Sequence, residues 1–271
     1  MFDAPDPPVQ PLMQSDGFAA ALRLLGRPPV TLPCGLIVLR RSLAGLPVAM
    51  LPRAAPPPDL NAQLAAAGLG RVPLILSPEV PCDLPRALRI AAPRWIGVLP
   101  LAGGARARRA RMHPKWRNQW RRARDAGIEV THATLPADLS HPLFEAEQRQ
   151  RAARGYDGWP LALTCAFAAA APDQTRLFSA RRGGEVIARM LFLCHGGGAT
   201  YHLGQTTETG RRYHAHNLLL ALACDWLEDR GHTILDLGPL DARTPELNRF
   251  KLRSGARGRP TGGSWLRWCP I

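Results

Sequence analysis

The stretch Ala199–Asp241 reads ATYHLGQTTETGRRYHAHNLLLALACDWLEDRGHTILDLGPLD, and the order of its patterns decides the fold. ATYHLGQT reads as a strand. From about His214 to Arg230, Leu218, Leu219, Leu220, Leu222, Trp226 and Leu227 spread apolar surface over nearly the whole helical circumference, so this helix belongs inside a fold. TILDLGPLD then reads as a buried strand. Upstream, TRLFSARRGGEVIARMLFLCHGGGAT supplies further strands joined by the glycine turns RRGGE and CHGGGA. Downstream, TPELNRFKLRSG opens with Pro245 and closes with Gly255, the asymmetry of a capped helix. The order is three strands, a helix, a strand and a helix.

Working outward, GGARARRARMHPKWRNQWRRARDAGIEV places Pro114 at a helix start and Gly127 at its stop. Trp116, Trp120 and Ala123 form one stripe of that helix, and Arg117, Arg121 and Arg124 a neighbouring one. Further helices are expected from Pro142 and Pro160. Nearer the N-terminus, CGLIVLRR and LPVAMLPR around SLAG predict a hairpin between Val30 and Arg53, followed by a short helix from Asp59. Residues 72–77 and 95–101 read as two more strands. The expected fold class is α+β, with mixed sheets flanked by helices. The expected division is a disordered Pro-rich N-terminus over 1–13, one half over 14–105 and a second over 106–271.

The chain has 271 residues, enough for one large domain or two small ones. Its six cysteines are scattered and contain no C-x-x-C pair, and MFDAPDPPVQP has neither the basic start nor the apolar core of a signal peptide. We read them as reduced thiols of a cytoplasmic protein, without a disulfide frame or a zinc site. The longest apolar run is too short to cross a bilayer. The net charge of +14 favours anionic partners, such as coenzyme phosphates, tRNA or an anionic membrane face; it also fits a well-solvated arginine-rich surface. Oligomeric state is not readable. Of 35 basic residues only Lys115 and Lys251 are lysines, which makes position 251 a question.

The segments KWRNQWRRARDAGIEV, GGEVIARMLFL, ATYHLGQT, GRRYHAHNLLLALACDWLEDRG, ILDLGPLD and NRFKLRSGA, in this order, resemble the core of GNAT acyltransferases, and more closely the FemAB-like branch. The resemblance covers about residues 106–262. It implies tandem GNAT-like halves, the first degenerate, and transfer of an acyl group from acyl-CoA to an amine. FemAB-like relatives that use aminoacyl-tRNA keep a second donor open, with tRNA as carrier. A third reading is a non-enzymatic module binding RNA or a membrane surface through the basic helix.

The resemblance places the phosphate-binding loop at Arg212-Tyr-His-Ala215-His-Asn217, with Ala and Asn where the family has glycines. Arg211, Arg212, His214, Ala215, His216 and Asn217 are the expected donor contacts, since a helix start offers free N–H groups and a positive dipole end. It also implies that the strands Ala199–Thr206 and Thr233–Leu240 splay apart, and that a backbone N–H in the gap receives the donor carbonyl. Simple alternation puts Tyr201, Leu203 and Gln205 on one face of the first strand and His202, Gly204 and Thr206 on the other. The family's Phe-Lys pair falls on Phe250 and Lys251. An ammonium there would face the developing oxyanion, a task a planar guanidinium does not copy. The expected catalytic set is Lys251, Tyr201, and His202 or Asp241 as base, with deprotonation through water as the alternative; His214 and Asp236 are further candidates for the base, Asp236 reading as either a hydrogen-bonded structural acid or a tuned one. Lys115, Arg117, Arg121 and Phe250 would hold a small or anionic amine-bearing substrate. His214-x-His216 does not signal a metal, because residues two apart on a helix diverge, and none is expected.

Overall fold

The computed structural model describes residues 9–43 and 45–268, apart from the side chains of Leu43 and Arg154. In the N-terminal region, helix α1 (Asp16–Leu24) precedes strands β1 (Val30–Thr31), β2 (Ile37–Leu43) and β3 (Leu46–Pro52). Helix α2 (Leu60–Ala66) and strands β4 (Leu74–Ser77), β5 (Leu88–Ala91) and β6 (Trp95–Pro100) follow. Next come α3 (Gly104–Arg111), α4 (Pro114–Arg124), β7 (Glu129–Ala133), α5 (Pro142–Arg154) and α6 (Leu161–Ala170). The last third holds β8 (Thr175–Arg182), β9 (Glu185–His195), β10 (Gly198–Thr206), α7 (Glu208–Arg212) and α8 (Ala215–Glu228). It closes with β11 (Ile234–Pro239), α9 (Pro245–Arg253), β12 (Arg257–Pro260) and β13 (Ser264–Arg267).

Two mixed sheets result, as expected of an α+β chain. One has the order β1-β2-β3-β4-β13-β5, the other β12-β6-β11-β10-β9-β8-β7. The sheets do not divide where the expected halves do. β6, which precedes residue 105, pairs with β11 and β12 in the second sheet, and β13 crosses back to lie between β4 and β5. This exchange stitches the halves together.

Helix boundaries follow the punctuation of the sequence. Pro114 and Pro245 occupy first turns, and Gly127 and Gly255 take left-handed φ values of 65° and 102° just past the ends. The tryptophan stripe of α4 is inside: Trp116, Trp120 and Ala123 are buried with Leu218, Leu219 and Trp226 of α8 against one face of β9. The other face of β9 presents Leu191 and Leu193 to Phe167 of α6, Phe18 of α1 and Ile37 and Leu39 of β2. That second cluster joins the two sheets, and a third, around Leu51, Leu60 and Leu76, fills the first sheet's far side.

Residues 9–13 depart from the disorder expected over 1–13; positions 1–8 lie outside the described residues. Leu12 is buried, and the Gln10 carbonyl accepts from His195 Nδ1 at 2.7 Å. Gln14 then donates to the carbonyls of Ile37 and Pro52 and accepts from the Ile37 N–H. A leading segment with this many buried polar contacts has the enthalpy to hold its place. Among the described residues no helix is long and apolar enough to cross a membrane.

Candidate active site

β10 and β11 run parallel and pair at only three positions, Gly198 with Ile234, Ala199 with Leu235 and Thr200 with Asp236. Beyond these each strand keeps its outer neighbour alone: β10 continues along β9 to Thr206, and β11 along β6 to Pro239. The register slips between Tyr201 and Leu203 on one side of the gap and between Asp236 and Pro239 on the other. A bulge inserts a residue and bends its strand, so two bulges facing each other turn the strands apart. The walls of the gap carry backbone groups released from the parallel ladder.

The bulge also corrects the expected alternation. Tyr201 packs beside Phe192 at 5.8 Å in the cluster under α8, whereas Leu203 is buried in the cluster under α6. Tyr201 and Leu203 therefore face opposite ways. A Cβ on Gly204 would collide with the Tyr201 hydroxyl, so glycine there leaves room for the ring along β10.

Lys251 lies at the β11 side of the gap. Its side chain is buried at 3% exposure and Nζ donates to the carbonyl of Pro239, the last residue of β11, at 2.8 Å. Burial pushes this ammonium down to about 8, against the pull of the Asp236 carboxylate. Phe250 beside it stacks between Trp116 at 6.1 Å and His216 at 6.3 Å, so it braces the three helices around the gap.

Asp236 brings in residues that the sequence did not single out. Its Oδ1 accepts from the Gly238 N–H at 2.7 Å and its Oδ2 from Arg53 Nη2 at 2.9 Å. Arg53 directly follows β3 of the other sheet and also pairs with Glu79, which Arg259 holds in turn. The ion network thus spans both halves at the foot of the gap. Arg53 is a non-glycine residue with φ 53°, a signal visible only in the backbone.

His202 and Asp241 do not fit the role of base. His202 is buried on the α6 side, with Nε2 at 2.8 Å from the Thr164 hydroxyl and its ring edge-on to Trp159 at 5.0 Å. Burial drives its pKa down to about 3, with Arg151 adding to the effect. Asp241 is held as a carboxylate at about 2 by hydrogen bonds from the Arg243 side chain and backbone. It also braces its loop: its N–H and carbonyl both engage Asn248. His202→Leu should cost about 1–3 kcal/mol by leaving the buried Thr164 hydroxyl unpaired, while the pH–rate profile keeps its shape. Loss of an inflection between pH 6 and 8 in that variant would restore the base role. With its folded pKa depressed, His202 also contributes stability that is lost as pH falls below about 6.5.

The expected donor loop is built from α7 and the start of α8. Thr207 caps α7, its hydroxyl accepting from Gly210 N–H at 3.1 Å, and a Cβ on Gly210 would strike the Ile187 carbonyl. His214 takes φ 54° and ends the turn between the helices. Its carbonyl accepts from the Asn217 N–H at 2.9 Å, so the Ala215 and His216 amides precede the α8 ladder. Ala215 and Asn217, the departures from glycine, turn their side chains inward: Ala215 is fully buried, and Asn217 donates to Gln119 at 3.5 Å. They do not fill the outer face of the helix start. His216 is committed to the Gln205 carbonyl at 2.9 Å, and burial lowers its pKa. Arg211 and Arg212 stay exposed at the rim, Arg211 also donating to the Thr206 carbonyl at 3.2 Å. On α4, Lys115 and Arg121 are exposed and Arg117 is half-buried.

A family model described as an acetyltransferase (GNAT) domain matches residues 108–251, more than half of the chain. Among solved structures, the fold is similar to FemX, at TM-score 0.76 and 12% identity over 96% of this chain and 92% of that one. It is also similar to L-PGS from Bacillus licheniformis, at TM-score 0.56 and 13% identity over 94% and 89%. A tandem GNAT protein from the clavulanic acid biosynthesis pathway gives TM-score 0.50 and 14% identity over 87% and 79%. No curated protein matches the sequence. With the split sheet, the order of strands and helices and the matched domain in agreement, this chain belongs to the GNAT acetyltransferase-domain family and shares its two-sheet fold with FemX.

Proposed function

We propose that this protein is an N-acyltransferase that moves an acyl group from acyl-CoA to an amine at the gap between β10 and β11. One observation carries the reading: the two strands part after three paired residues, and a buried lysine ammonium stands at the carbonyl that ends β11. The donor's carbonyl would lodge against a backbone N–H of the β10 bulge, with the coenzyme phosphates at the α8 start beside Arg211 and Arg212. The neutral amine attacks the carbonyl carbon and its proton leaves to water. The tetrahedral oxyanion is then faced by the bulge N–H and the Lys251 ammonium. Collapse breaks the carbon–sulfur bond, and the departing thiolate takes up a proton. Lys115, Arg117, Arg121 and Phe250 flank the approach and are proposed to hold the acceptor.

Aminoacyl ester carried on tRNA is the second reading. The similarity to FemX over both halves and the +14 charge favour it. Incubation of the purified protein with mixed amines and either acetyl-CoA, longer acyl-CoAs or aminoacyl-tRNA separates the two. Amine-dependent release of free thiol is expected; amine-dependent deacylation of tRNA without thiol release selects the second reading, and the absence of both activities refutes both readings. Because an ammonium is required, turnover should fall as pH rises through about 8, the value to which burial lowers Lys251.

A further inference from the structure

We infer that Arg53 is a positioning residue that reaches across from the first half: by holding the Asp236 carboxylate it keeps that carboxylate from capturing Lys251, and so leaves the ammonium on the Pro239 carbonyl at the gap. The inference deepens the proposed function, since it takes Lys251 as the group that meets the acyl carbonyl.

The geometry rests on how each atom is spent. Both Asp236 oxygens have donors, Oδ1 the Gly238 N–H at 2.7 Å and Oδ2 the Arg53 guanidinium at 2.9 Å. Lys251 feels the Asp236 charge, yet its Nζ donates at 2.8 Å to the carbonyl three residues further on. The turn between them is shaped by the same carboxylate, because Gly238 takes φ 78° where the β11 register slips. Arg53 is itself aimed at cost. Its φ of 53° is a conformation that non-glycine residues avoid, and its N–H is fixed to the Ser77 carbonyl at 2.7 Å. Glu79 takes Nε and shares Nη2 of the guanidinium with Asp236, and is anchored by Arg259. A forked, permanently charged donor suits this bridging of two carboxylates.

Other charges around Lys251 do not replace Asp236. β6, against which α9 packs, has no charged residue, and α4 brings the cations Lys115, Arg117 and Arg121. On α9 itself, Glu246 is paired with Arg249 at 2.8 Å. His216, across Phe250, is kept neutral by burial. With the guanidinium removed, the Asp236 oxygen it held is free to draw the ammonium, and an opposite charge nearby favours the protonated amine.

Lys115 and Lys251 are the only lysines, so protein carrying lysine labelled with carbon-13 at Cε gives two lysine resonances, assigned with Lys115→Arg. The Lys251 midpoint is read by titration of the full chain, without any activity measurement. Arg53→Met should raise it by about 1 pH unit, and Arg53→Lys should restore it in large part. In an Asp236→Asn background the Arg53→Met shift should vanish. An unmoved midpoint in folded Arg53→Met protein overturns the inference. So does an equal shift in the Asp236→Asn background, which would mean simple repulsion between the two cations. Should Arg53→Met not fold, Arg53→Gln decides: a raised midpoint that vanishes in the Asp236→Asn background supports the inference and an unmoved one overturns it. Failure of the proposed function would instead appear in the thiol-release assay, leaving these titrations intact.

Discussion

Lys251→Arg lowers turnover by about 100-fold while KM for the donor changes little, the pattern expected when a charge that meets the transition state is lost or misplaced. Lys251 is buried at 3% exposure, and its ammonium is one hydrogen bond from the end of β11. A broad planar guanidinium does not copy a compact ammonium that donates to the Pro239 carbonyl from a buried position. Lys251→Met should lose as much rate without lowering the melting temperature. The sign follows from the depressed pKa: the folded state disfavours the ammonium relative to the unfolded chain, so below about 8 this charge costs stability. Steady-state kinetics beside thermal melts check both statements. Equal turnover in Lys251→Arg removes the lysine from the chemistry. The test also bears on composition, for in a chain whose basic residues are nearly all arginine, a required ammonium explains the retained lysine.

The largest effect on stability is expected at Arg108. Its side chain is 5% exposed, donates to the Leu101 carbonyl at 2.8 Å, and is ion-paired with Asp225 and Glu228 of α8. Glu228 also accepts from the Gly104 N–H at 2.7 Å, so one carboxylate fastens the start of α3 to the end of α8. Arg108→Met removes the cation and leaves two carboxylates without their partner, a change that typically costs about 3 kcal/mol where the pair is buried; the partial exposure of Asp225 and Glu228 keeps it at that lower end. Burial raises the Glu228 pKa, but hydrogen bonds from Arg108 and Gly104 outweigh it and the net shift is downward. Stability from a depressed carboxylate is present above its unfolded value and lost as pH falls through the folded one. The penalty of Arg108→Met, measured by urea unfolding, should therefore be larger at pH 7 than at pH 3. A penalty below about 0.5 kcal/mol would class the cluster with ordinary surface pairs.

Local pattern carried much of the fold. The stripe of Trp116, Trp120 and Ala123, the all-round apolar α8 and the capped α9 each express a period or a punctuation mark that needs no distant partner. The strand exchange was not legible, since SWLR is four residues long and its pairing with β4 is decided by chain about 190 residues away. At the site, Lys251 stood out by rarity and motif. Leu203 was assigned to the face of Tyr201 because strict alternation fails at a bulge, and nothing in YHL announces one. Asp241 was misjudged because Arg243, two residues on, neutralises it through a tight loop. Arg53 and Glu79 were missed because their partners, Asp236 and Arg259, lie in the other half of the chain.

The most direct measurement is a crystal structure with a non-hydrolysable acyl-CoA analogue. The acyl oxygen is expected between β10 and β11, within hydrogen-bond distance of a backbone N–H at Tyr201–Leu203, with Lys251 Nζ on its other side. An analogue bound elsewhere, with β10 and β11 paired along their full length, would contradict it.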